Sequence, residues 1–394
     1  MNPLVEPGPA LDPERVTRYS RQLMLPGFGE DAQRRLRAAK VLVVGAGGLG
    51  SAVVPMLAAA GVGTIGVADD DLVELSNLHR QLSHGVDDIG SRKTASLTAT
   101  VRSIDPECRV IVHDERLSAA NLPGILAEYD LAIDGSDNFP TRYLVSDATS
   151  LAGKPLVWGS ILQFRGQVGV SWEGQGPTYR DLFLTPPPAE DALSCELGGV
   201  LPTLCPAIGS LLATETIKLI TGIGEPLLGR VIVYDALTVS TREIRYDRGP
   251  DARPVTELID YDLFCGIDAD DDAAVSAAEL LGRLRAGERV PLIDVRERHE
   301  YEARRIAGSI LLPVGDIEAG GLPEVDGPVT VYCERDPRSR RAVRELRRRG
   351  IDARYLAGGI RSFVEVGGAV ESGAITDGPI HAAEGMRAHE REPA

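Results

Sequence analysis

Two short stretches of this 394-residue chain combine residue types that could carry out chemistry. In the first, Gly45-Ala-Gly-Gly-Leu-Gly50, the glycines have the G-x-G-x-x-G spacing that brings a backbone close to a phosphate. In the second, Cys333 lies in the run Val331-Tyr-Cys-Glu-Arg-Asp-Pro-Arg-Ser339. A cysteine in a turn before a helix meets backbone N–H groups that favour its thiolate, and Arg335 and Arg338 would add to this effect. The two motifs predict a nucleotide site early in the chain and a reactive sulfur late in it.

The elements around the glycine-rich stretch are those of a nucleotide-binding sheet. Residues 40–44 form an apolar strand that ends at the glycines, and a helix over 49–60 and a strand over 64–68 follow it. This βαβ order opens a doubly wound sheet, with phosphates expected at the helix N-terminus. Asp69, directly after the second strand, could accept hydrogen bonds from a ribose. These observations alone favour a nicotinamide-dependent oxidoreductase.

The charged residues that follow Asp69 favour a triphosphate instead. A hydride-transfer site needs an apolar nicotinamide pocket, whereas cleavage at an α-phosphorus needs fixed cations and a carboxylate that holds a metal. Arg80 and Lys93 are the candidate cations, and Asp137 is the candidate carboxylate for Mg²⁺. Each could singly be an ordinary surface charge. As a set they predict a site for ATP and Mg²⁺.

A set of motifs spread over residues 12–248 goes beyond a general nucleotide site. It consists of Arg18-Tyr-Ser-Arg-Gln22, Gly45–Gly50, Asp69, Ser76-Asn-Leu-His-Arg-Gln81, Lys93, Asp134-Gly-Ser-Asp-Asn138, Ala192-Leu-Ser-Cys195 and Val233-Tyr-Asp-Ala236. On these motifs the region resembles the MoeB/ThiF family of adenylyltransferases, the bacterial relatives of ubiquitin-activating enzymes. The resemblance implies a Rossmann-like α/β fold, a homodimer, and adenylylation of the C-terminal Gly-Gly carboxylate of a ubiquitin-like sulfur carrier protein.

The same resemblance implies which residues form the ATP site. Arg80 would stabilise developing charge during the reaction, and Arg21 would reach across the homodimer interface into the active site of the other protomer. The cofactor-binding set is Gly45, Gly48, Gly50, Asp69, Ser76, Asn77, Arg80, Gln81, Lys93, Asp137 and Asn138.

One feature of the family is missing from this sequence. Many members hold a structural zinc with two Cys-x-x-Cys pairs, but the corresponding places read Thr178-Tyr-Arg-Asp181 and Arg248-Gly-Pro-Asp-Ala-Arg-Pro254. A tetrahedral thiolate site needs cysteines that neither stretch contains. We therefore predict no zinc site, and expect packing or loop hydrogen bonds to replace the metal.

Residues 276–372 resemble the rhodanese family, whose loop cysteine carries a persulfide. The resemblance assigns the nucleophile to Cys333 and a cationic role to Arg338, and the four intervening residues make the loop too short for a phosphatase. The pair Asp336-Pro337 departs from the family pattern and would place a negative charge near the sulfur, which bears on the choice of sulfur donor. The supporting motifs are Leu292-Ile-Asp-Val-Arg296, Glu300-Tyr301 and Leu356-Ala-Gly-Gly-Ile360.

The chain has five cysteines, an odd number, and they are scattered, so the sequence does not encode a disulfide framework. Cys195 matches a family cysteine implicated in acyl or sulfur transfer, with a structural role as the alternative. Cys205 could resolve a disulfide, but core packing is the favoured interpretation. Cys108 and Cys265 lie in no motif.

Composition limits the partners of the chain. A formal net charge of −16 argues against a broad nucleic-acid-binding surface. No apolar run reaches the length of a membrane span and the N-terminus lacks the pattern of a signal peptide, so we expect a cytoplasmic protein that uses no membrane. Six arginines between Arg340 and Arg349 form a solvated helix face or, alternatively, a docking patch for an acidic carrier; tRNA binding is a weaker option.

The order of these two regions resembles that of the MoeZ-type fusion enzymes. An α/β adenylation domain of Rossmann type is followed by a small rhodanese-like α/β domain. We expect a disordered N-terminus over 1–12, the adenylyltransferase domain over 13–250, an acidic linker over 251–275, the sulfurtransferase domain over 276–372 and a tail over 373–394.

The predicted reaction has two stages. The carrier carboxylate is first adenylated by MgATP, and a persulfide on Cys333 then converts it to a thiocarboxylate. The sulfur donor would be thiosulfate or a cysteine desulfurase, and the carrier would serve molybdenum cofactor, thiamine, cysteine or secondary-metabolite pathways. Two alternatives stay open at this point: a scaffold that only docks the carrier, and a nicotinamide-dependent oxidoreductase with a regulatory rhodanese-like domain.

Overall fold

The computed structural model describes residues 2–187, 198–249, 252, 254–265, 273–323, 325 and 327–373. The chain divides into two compact units, Met1–Ala269 and Asp270–Ala394. Cys195, the acidic run at 268–272 and nearly all of the predicted tail lie outside the described residues. Each unit is an α/β structure built on a largely parallel sheet, which confirms the predicted fold class.

An eight-stranded sheet in the order β3-β2-β1-β4-β5-β6-β7-β8 organises the first unit. Strands β1 to β5 are parallel, and β6, β7 and β8 continue the sheet in antiparallel pairs. The strand order reverses between β1 and β4, where doubly wound folds bind ligands. The strands are β1 Lys40–Val44, β2 Thr64–Ala68, β3 Arg109–His113, β4 Leu131–Asp134, β5 Leu156–Leu162, β6 Arg165–Ser171, β7 Arg230–Asp235 and β8 Ser240–Arg245.

The helices of the first unit cover both faces of its sheet. The sequences of β1, β2 and β4 are almost entirely apolar, as expected for strands that are buried on both faces of a sheet. Helix α9 (Leu204–Thr221) is long and apolar enough to cross a membrane by length and composition, but 61% of it is buried inside the unit, as in a core helix. The helices are α1 Pro13–Arg18, α2 Ser20–Leu23, α3 Gly29–Ala38, α4 Gly50–Ala60, α5 Lys93–Ile104, α6 Leu122–Ala127, α7 Phe139–Leu151, α8 Tyr179–Leu182, α9 Leu204–Thr221 and α10 Tyr261–Phe264.

The N-terminal segment packs against this unit where we expected disorder. The Leu4 amide donates to the Leu219 carbonyl at 3.0 Å, and Arg34 Nε donates to the Gly8 carbonyl at 2.8 Å. The Val5 side chain is buried. Prolines make this stretch poor in regular structure, but they do not prevent it from filling a groove beside α3 and α9.

Part of the predicted linker also belongs to the first unit. Tyr261, in α10, is buried and its hydroxyl donates to Asp147 Oδ2 at 2.7 Å. Arg180 binds the same carboxylate through two hydrogen bonds of 2.9 and 2.6 Å. Its guanidinium lies between the rings of Tyr143 and Phe264, 4.7 and 4.4 Å from their centroids. The part of the linker around Tyr261 is therefore packed on the first unit, while the acidic run at 268–272 lies outside the described residues.

The second unit contains a five-stranded parallel sheet in the order β12-β10-β13-β14-β9, with a separate pair formed by β11 and β15. Helices cover the parallel sheet on both sides. The strands are β9 Ala274–Val275, β10 Leu292–Asp294, β11 Arg305–Ile306, β12 Ile310–Leu311, β13 Val329–Tyr332, β14 Ala353–Leu356 and β15 Val370–Glu371. The helices are α11 Ala277–Arg285, α12 Arg298–Ala303, α13 Val314–Glu318, α14 Pro337–Arg348 and α15 Gly359–Glu365.

The contact of Tyr261 with Asp147 predicts a stability effect outside any catalytic site. Tyr261→Phe removes a hydrogen bond to a buried carboxylate, so we expect the free energy of unfolding to fall by about 1–3 kcal/mol. Denaturant unfolding followed by tryptophan fluorescence measures it, since Trp158 and Trp172 both lie in the first unit. Asp262→Asn, in the same helix, breaks only an exposed ion pair with Arg116 and should cost less than about 0.5 kcal/mol. Equal losses in the two variants would contradict the packed role of Tyr261.

Candidate active site

The glycine-rich loop turns sharply at the carboxyl end of β1. Gly45 has a φ of +91°, which favours glycine. A Cβ on Gly50 would lie 1.8 Å from the Gly45 carbonyl oxygen, and one on Gly48 would lie 2.8 Å from Cys205 Sγ. The glycines are thus required by the packing of the loop itself. Cys205 is fully buried beneath Gly48, in agreement with the predicted core role.

Asp69 connects the glycine-rich loop to the segment after β2. Its Oδ2 accepts from the Ala46 amide at 2.7 Å and its Oδ1 from the Asp71 amide at 2.8 Å. Burial raises the pKa of Asp69, although Lys93 and both amides act in the opposite direction. Each carboxylate oxygen keeps a second lone pair, so the group can still accept from a ribose hydroxyl.

Lys93, at the start of α5, has a partner that the sequence did not predict. Its Nζ lies 2.8 Å from Asp71 Oδ2, and the lysine side chain is only 7% exposed. The charge is held in a fixed position next to Asp69. A buried and oriented ammonium of this kind is suited to a phosphate, which would compete with Asp71 for it.

The segment Ser76–Gln81 folds back on itself beside the loop. Asn77 is buried, and its Oδ1 accepts from the Glu74 amide at 3.1 Å. Arg80 NH1 donates to the Ser76 carbonyl at 2.9 Å. Asn77 therefore shapes the turn, while the half-buried Arg80 stays at the surface of the site.

Gln81 offers an observation that fits a bound nucleotide. The side chain is 2% exposed, and its Oε1 has no hydrogen-bond partner among the described residues. Its Nε2 lies 3.7 Å from the position that a Cβ on Gly47 would take. A buried polar atom without a partner is costly, so a donor supplied by a ligand at the loop would satisfy it.

The turn after β4 carries Asp137 and Asn138, both exposed. The buried Asp134 accepts from the Ser136 amide at 2.9 Å and from its hydroxyl, and Arg142 donates to the Ser136 carbonyl at 2.9 Å. Neither Asp134 nor Arg142 was among the predicted site residues, although Asp134 belongs to the motif Asp134-Gly-Ser-Asp-Asn138. These two residues hold the turn that presents the Asp137 carboxylate.

Asn138 has a structural role at the same turn. Its side-chain oxygen accepts from the Thr141 amide at 3.0 Å and caps α7, which leaves its amide nitrogen and the second lone pair of the oxygen for a nucleotide. The part of the chain that the structure describes holds no group of three or more His, Cys, Asp or Glu side chains that could bind a metal. The binding of Mg²⁺ at Asp137 stays a prediction.

Hydrogen bonds hold the two stretches in which the family resemblance led us to look for zinc cysteines. Thr178 and Asp181 form a capping box on α8, in which the Thr178 amide donates to Asp181 Oδ2 at 2.7 Å. Arg248 NH1 donates to Glu173 Oε1 at 2.7 Å. These contacts are of the kind that we expected in place of a metal, and the absence of zinc stays a prediction.

Cys333 follows the carboxyl end of β13, the central strand of the second unit's sheet. Its side chain is 1% exposed, and the thiol donates to Ser339 Oγ across 3.5 Å. The Ile360 amide donates to the Cys333 carbonyl at 2.9 Å. Gly359 has a φ of +61°, and a Cβ there would lie 2.5 Å from the same carbonyl oxygen. The glycine pair therefore closes tightly on the cysteine loop.

The backbone amide of Arg335 and the charge of Arg338 favour the Cys333 thiolate, as expected, but burial acts in the opposite direction and is the larger effect. Burial raises the pKa of Cys333, because an apolar surrounding disfavours the charged form. Hydrogen bonds from Ser339, the charge of Arg338 and the Arg335 amide lower it, as expected, but do not outweigh burial. Ser339 was not among the predicted residues; its position in the first turn of α14 was the available signal.

The charged neighbours of Cys333 have partners of their own. Arg338 forms two hydrogen bonds to Glu300, of 2.5 and 2.7 Å, which reduces its effect on the sulfur. Burial alone would raise the pKa of Glu300, but these bonds hold it below its ordinary value. Asp336 Oδ1 accepts from the Gly358 amide at 2.7 Å. The Asp336 carboxylate thus ties the loop to the glycine pair instead of acting only as a charge near the sulfur.

The arginines of α14 mostly have intramolecular contacts. Arg340 lies 4.5 Å from the centroid of the Tyr355 ring, and Arg347 donates to the Ala353 carbonyl at 2.8 Å. Arg341 pairs with Glu318, and Arg348 and Arg349 pair with Glu345. These contacts favour a structural helix face over a docking patch.

These two sites define the class of protein: a nucleotide-binding unit of ThiF type joined to a rhodanese-type unit with a loop cysteine. Residues 19–253 match the ThiF family and residues 276–365 match the rhodanese-like domain. The chain therefore belongs to the ThiF family and carries a rhodanese-like domain, as the sequence resemblance indicated.

Similar proteins have the same two-domain order or one of its parts. The chain is 48% identical to the probable adenylyltransferase/sulfurtransferase MoeZ of Mycobacterium tuberculosis, over 92% of this chain and 96% of that protein. It is 46% identical to the sulfur carrier protein adenylyltransferase of Thermus thermophilus, over 64% of this chain and 98% of that protein. A crystal structure of E. coli MccB with ATP shares the fold, with a TM-score of 0.53 and 23% identity over 61% of this chain and 73% of that one.

The raised pKa of Cys333 predicts how its reactivity depends on pH. Because the thiolate is a minor species at neutral pH, alkylation by iodoacetamide should be slow at pH 7 and rise about tenfold for each pH unit up to pH 9. Peptide mass spectrometry follows Cys333 separately from the other cysteines. Arg338→Gln removes a charge that favours the thiolate and should slow the reaction further. Fast modification that does not change between pH 7 and 9 would show that the thiolate is already formed.

Proposed function

We propose that the chain adenylates the C-terminal Gly-Gly carboxylate of a ubiquitin-like sulfur carrier protein and then transfers sulfur to it from a persulfide on Cys333. The observation that carries the proposal is the presence, on one chain, of a glycine-rich loop with oriented polar side chains and of a strand-end cysteine closed in by a glycine pair. The names of the relatives, one of which is a sulfur carrier protein adenylyltransferase, support it.

The first step needs a site that fixes a triphosphate. We assign the ribose to Asp69 and the phosphates to the loop amides and to Lys93, with Gln81 Oε1 as an acceptor for the nucleotide. Mg²⁺ held by Asp137 would neutralise phosphate charge. The carrier carboxylate attacks the α-phosphorus and pyrophosphate leaves, while Lys93, Arg80 and Arg21 of the other protomer stabilise the charge that develops.

The second step uses the cysteine of the rhodanese-like unit. The Cys333 thiolate takes a sulfane sulfur from thiosulfate, releasing sulfite, or from the persulfide of a cysteine desulfurase. The terminal sulfur then attacks the acyl-adenylate carbonyl and AMP leaves, which gives an acyl disulfide. A second thiol, for which we propose Cys195, attacks Cys333 Sγ of this disulfide and releases the thiocarboxylate. The disulfide then formed between the two cysteines is reduced by an external dithiol. Joining both units in one chain raises the effective concentration of the persulfide at the adenylate.

The rival functions have less support. A nicotinamide-dependent oxidoreductase would not need the buried Lys93 ammonium, and the relatives are named as adenylyltransferases and sulfurtransferases. A non-catalytic scaffold gives no reason for the shielded cysteine loop. We also propose that the enzyme is cytoplasmic and that the carrier belongs to one of the four pathways considered above.

Mass spectrometry of a Gly-Gly-ended carrier tests the proposal. After incubation with the protein, MgATP and thiosulfate, the carrier should replace one oxygen by one sulfur. Cys333→Ala should abolish this change, whereas Cys108→Ala, at another buried cysteine outside every motif, should preserve it.

Other outcomes of the same experiment are equally informative. Release of pyrophosphate with an unchanged carrier would retain adenylylation and reject thiosulfate as the donor. A carrier that binds but is not modified, with no pyrophosphate released, would favour the scaffold.

A homodimer in which Arg21 acts on the neighbouring site is the second part of the proposal. Arg21 is exposed on α2, and the apolar side chains of Met24 and Leu25 beside it are 72% and 53% exposed, as expected for an interface. Arg21→Ala and Lys93→Ala should each abolish ATP–pyrophosphate exchange.

Mixing these two variants separates the arrangement between protomers from one within a protomer. After subunit exchange, half of the dimers hold one site with both residues intact, so activity should return to about a quarter of the wild-type level. Mixed dimers that stay inactive, once their formation is verified, would place Arg21 in its own protomer's site.

A further inference from the structure

The peptide of Ala46, inside the glycine-rich loop, is held from both sides. Its amide donates to Asp69 Oδ2 at 2.7 Å, and its carbonyl oxygen lies 3.1 Å from His84 Nε2. A carbonyl oxygen can only accept, so Nε2 of His84 carries the proton. The His84 side chain is 6% exposed, and this histidine belongs to none of the motifs that define the nucleotide site.

The second ring nitrogen of His84 contacts a different element. Nδ1 lies 2.8 Å from Ser96 Oγ, and with the proton on Nε2 it accepts from the serine hydroxyl. Ser96 lies in α5, one turn after Lys93, which begins this helix. A single imidazole therefore connects the glycine-rich loop to the helix that carries the candidate phosphate cation.

Neighbours of His84 strengthen this connection. Ser83 Oγ donates to the Ser51 carbonyl in α4, and the Ser83 carbonyl accepts from Thr100 Oγ1 in α5 at 2.8 Å. The Gln81 amide group reaches the loop near Gly47. Residues 81–84 thus contact the loop and the helices on either side of it.

We propose that His84 is a positioning residue that holds the glycine-rich loop and α5 in one fixed arrangement, so that the loop amides and Lys93 meet the same triphosphate. The inference rests on the proposed nucleotide site and adds to it a residue that touches no substrate atom. Without the two contacts of His84, the glycine-rich loop and α5 can move independently, which weakens ATP binding more than it slows the chemical step.

The hydrogen bonds of His84 also depend on pH. Burial lowers the pKa of His84, so the ring is neutral at pH 7. Protonation puts a hydrogen on Nδ1, which can then no longer accept from Ser96, so the Ser96 hydroxyl has to turn to Asp88, the carboxylate that also bonds it. Lys93 opposes the added charge, whereas Asp69 and Asp88 favour it. The KM for ATP should therefore rise as the pH falls below about 6.5 and the ring becomes charged.

ATP–pyrophosphate exchange on the full-length chain, with a carrier present, measures the effect. His84→Ala should raise the KM for ATP about tenfold, the size expected for one buried hydrogen bond, with a smaller change in kcat. His84→Gln can still donate to the Ala46 carbonyl and cannot titrate, so it should restore most of the affinity and flatten the acid limb of the KM profile. His113→Ala, at a half-buried histidine bonded to Tyr129, is the matched control and should change the KM less than twofold.

The tautomer of His84 can be measured on the wild-type chain. Nitrogen NMR of the histidine-labelled wild-type chain should show His84 with its proton on Nε2 at pH 7. The other tautomer, or a folded His84→Ala protein with the wild-type KM and pH profile, overturns the inference. If the wild-type chain binds no ATP in calorimetry, the proposed nucleotide site itself fails, whatever the tautomer of His84.

Discussion

The meeting of parallel strand ends at one edge of the first sheet is the constraint on which the nucleotide site depends. The strand order places β2, β1 and β4 side by side, so the loops that follow them converge although they are far apart in sequence. The glycine-rich loop follows β1, Asp69 follows β2, and Asp137 follows β4. Because a Cβ on Gly50 would collide with the Gly45 carbonyl oxygen, the tight turn of the loop requires glycine at position 50. This turn allows the Ala46 amide to donate to Asp69 and the Ala46 carbonyl to accept from His84.

The second unit applies the same geometry to a sulfur atom with a different electrostatic result. Cys333 also ends a parallel strand and precedes a helix, but β13 and α14 bury its side chain almost completely. Burial opposes the thiolate more strongly than Ser339 and Arg338 support it. The same burial would protect a persulfide on Cys333 from water and from other thiols. Low reactivity of the free Cys333 thiol is therefore compatible with a long-lived persulfide at this position.

Pairing of charged side chains is the common feature of both units. Lys93 pairs with Asp71, Arg338 with Glu300, and Arg180 with Asp147. A buried charge is tolerated only when it is paired and hydrogen-bonded, so each pair fixes a side chain in a direction. In the second unit, Arg296 is nearly inaccessible and binds both Asp294 and Glu334, the residue after the cysteine. The cysteine loop is therefore anchored by ion pairs as well as by its backbone.

The sequence alone determined what is local. The strands and helices around Gly45–Gly50, the position of Cys333 between β13 and α14, and the order of the two units followed from periodicity, motif spacing and family resemblance. These features depend on residues close together in the chain, where side-chain period and turn chemistry leave few alternatives.

Only the tertiary structure decided which distant residues meet and how deeply they are buried. The packing of Val5 and Tyr261 on the first unit, the partners of Lys93 and Arg338, and the raised pKa of Cys333 all contradicted or extended the expectations. His84 had no visible role in sequence, because Ala46 and Ser96 reach it from other elements. Desolvation and long-range pairing depend on the complete packing of the chain, and a one-dimensional pattern contains no measure of either.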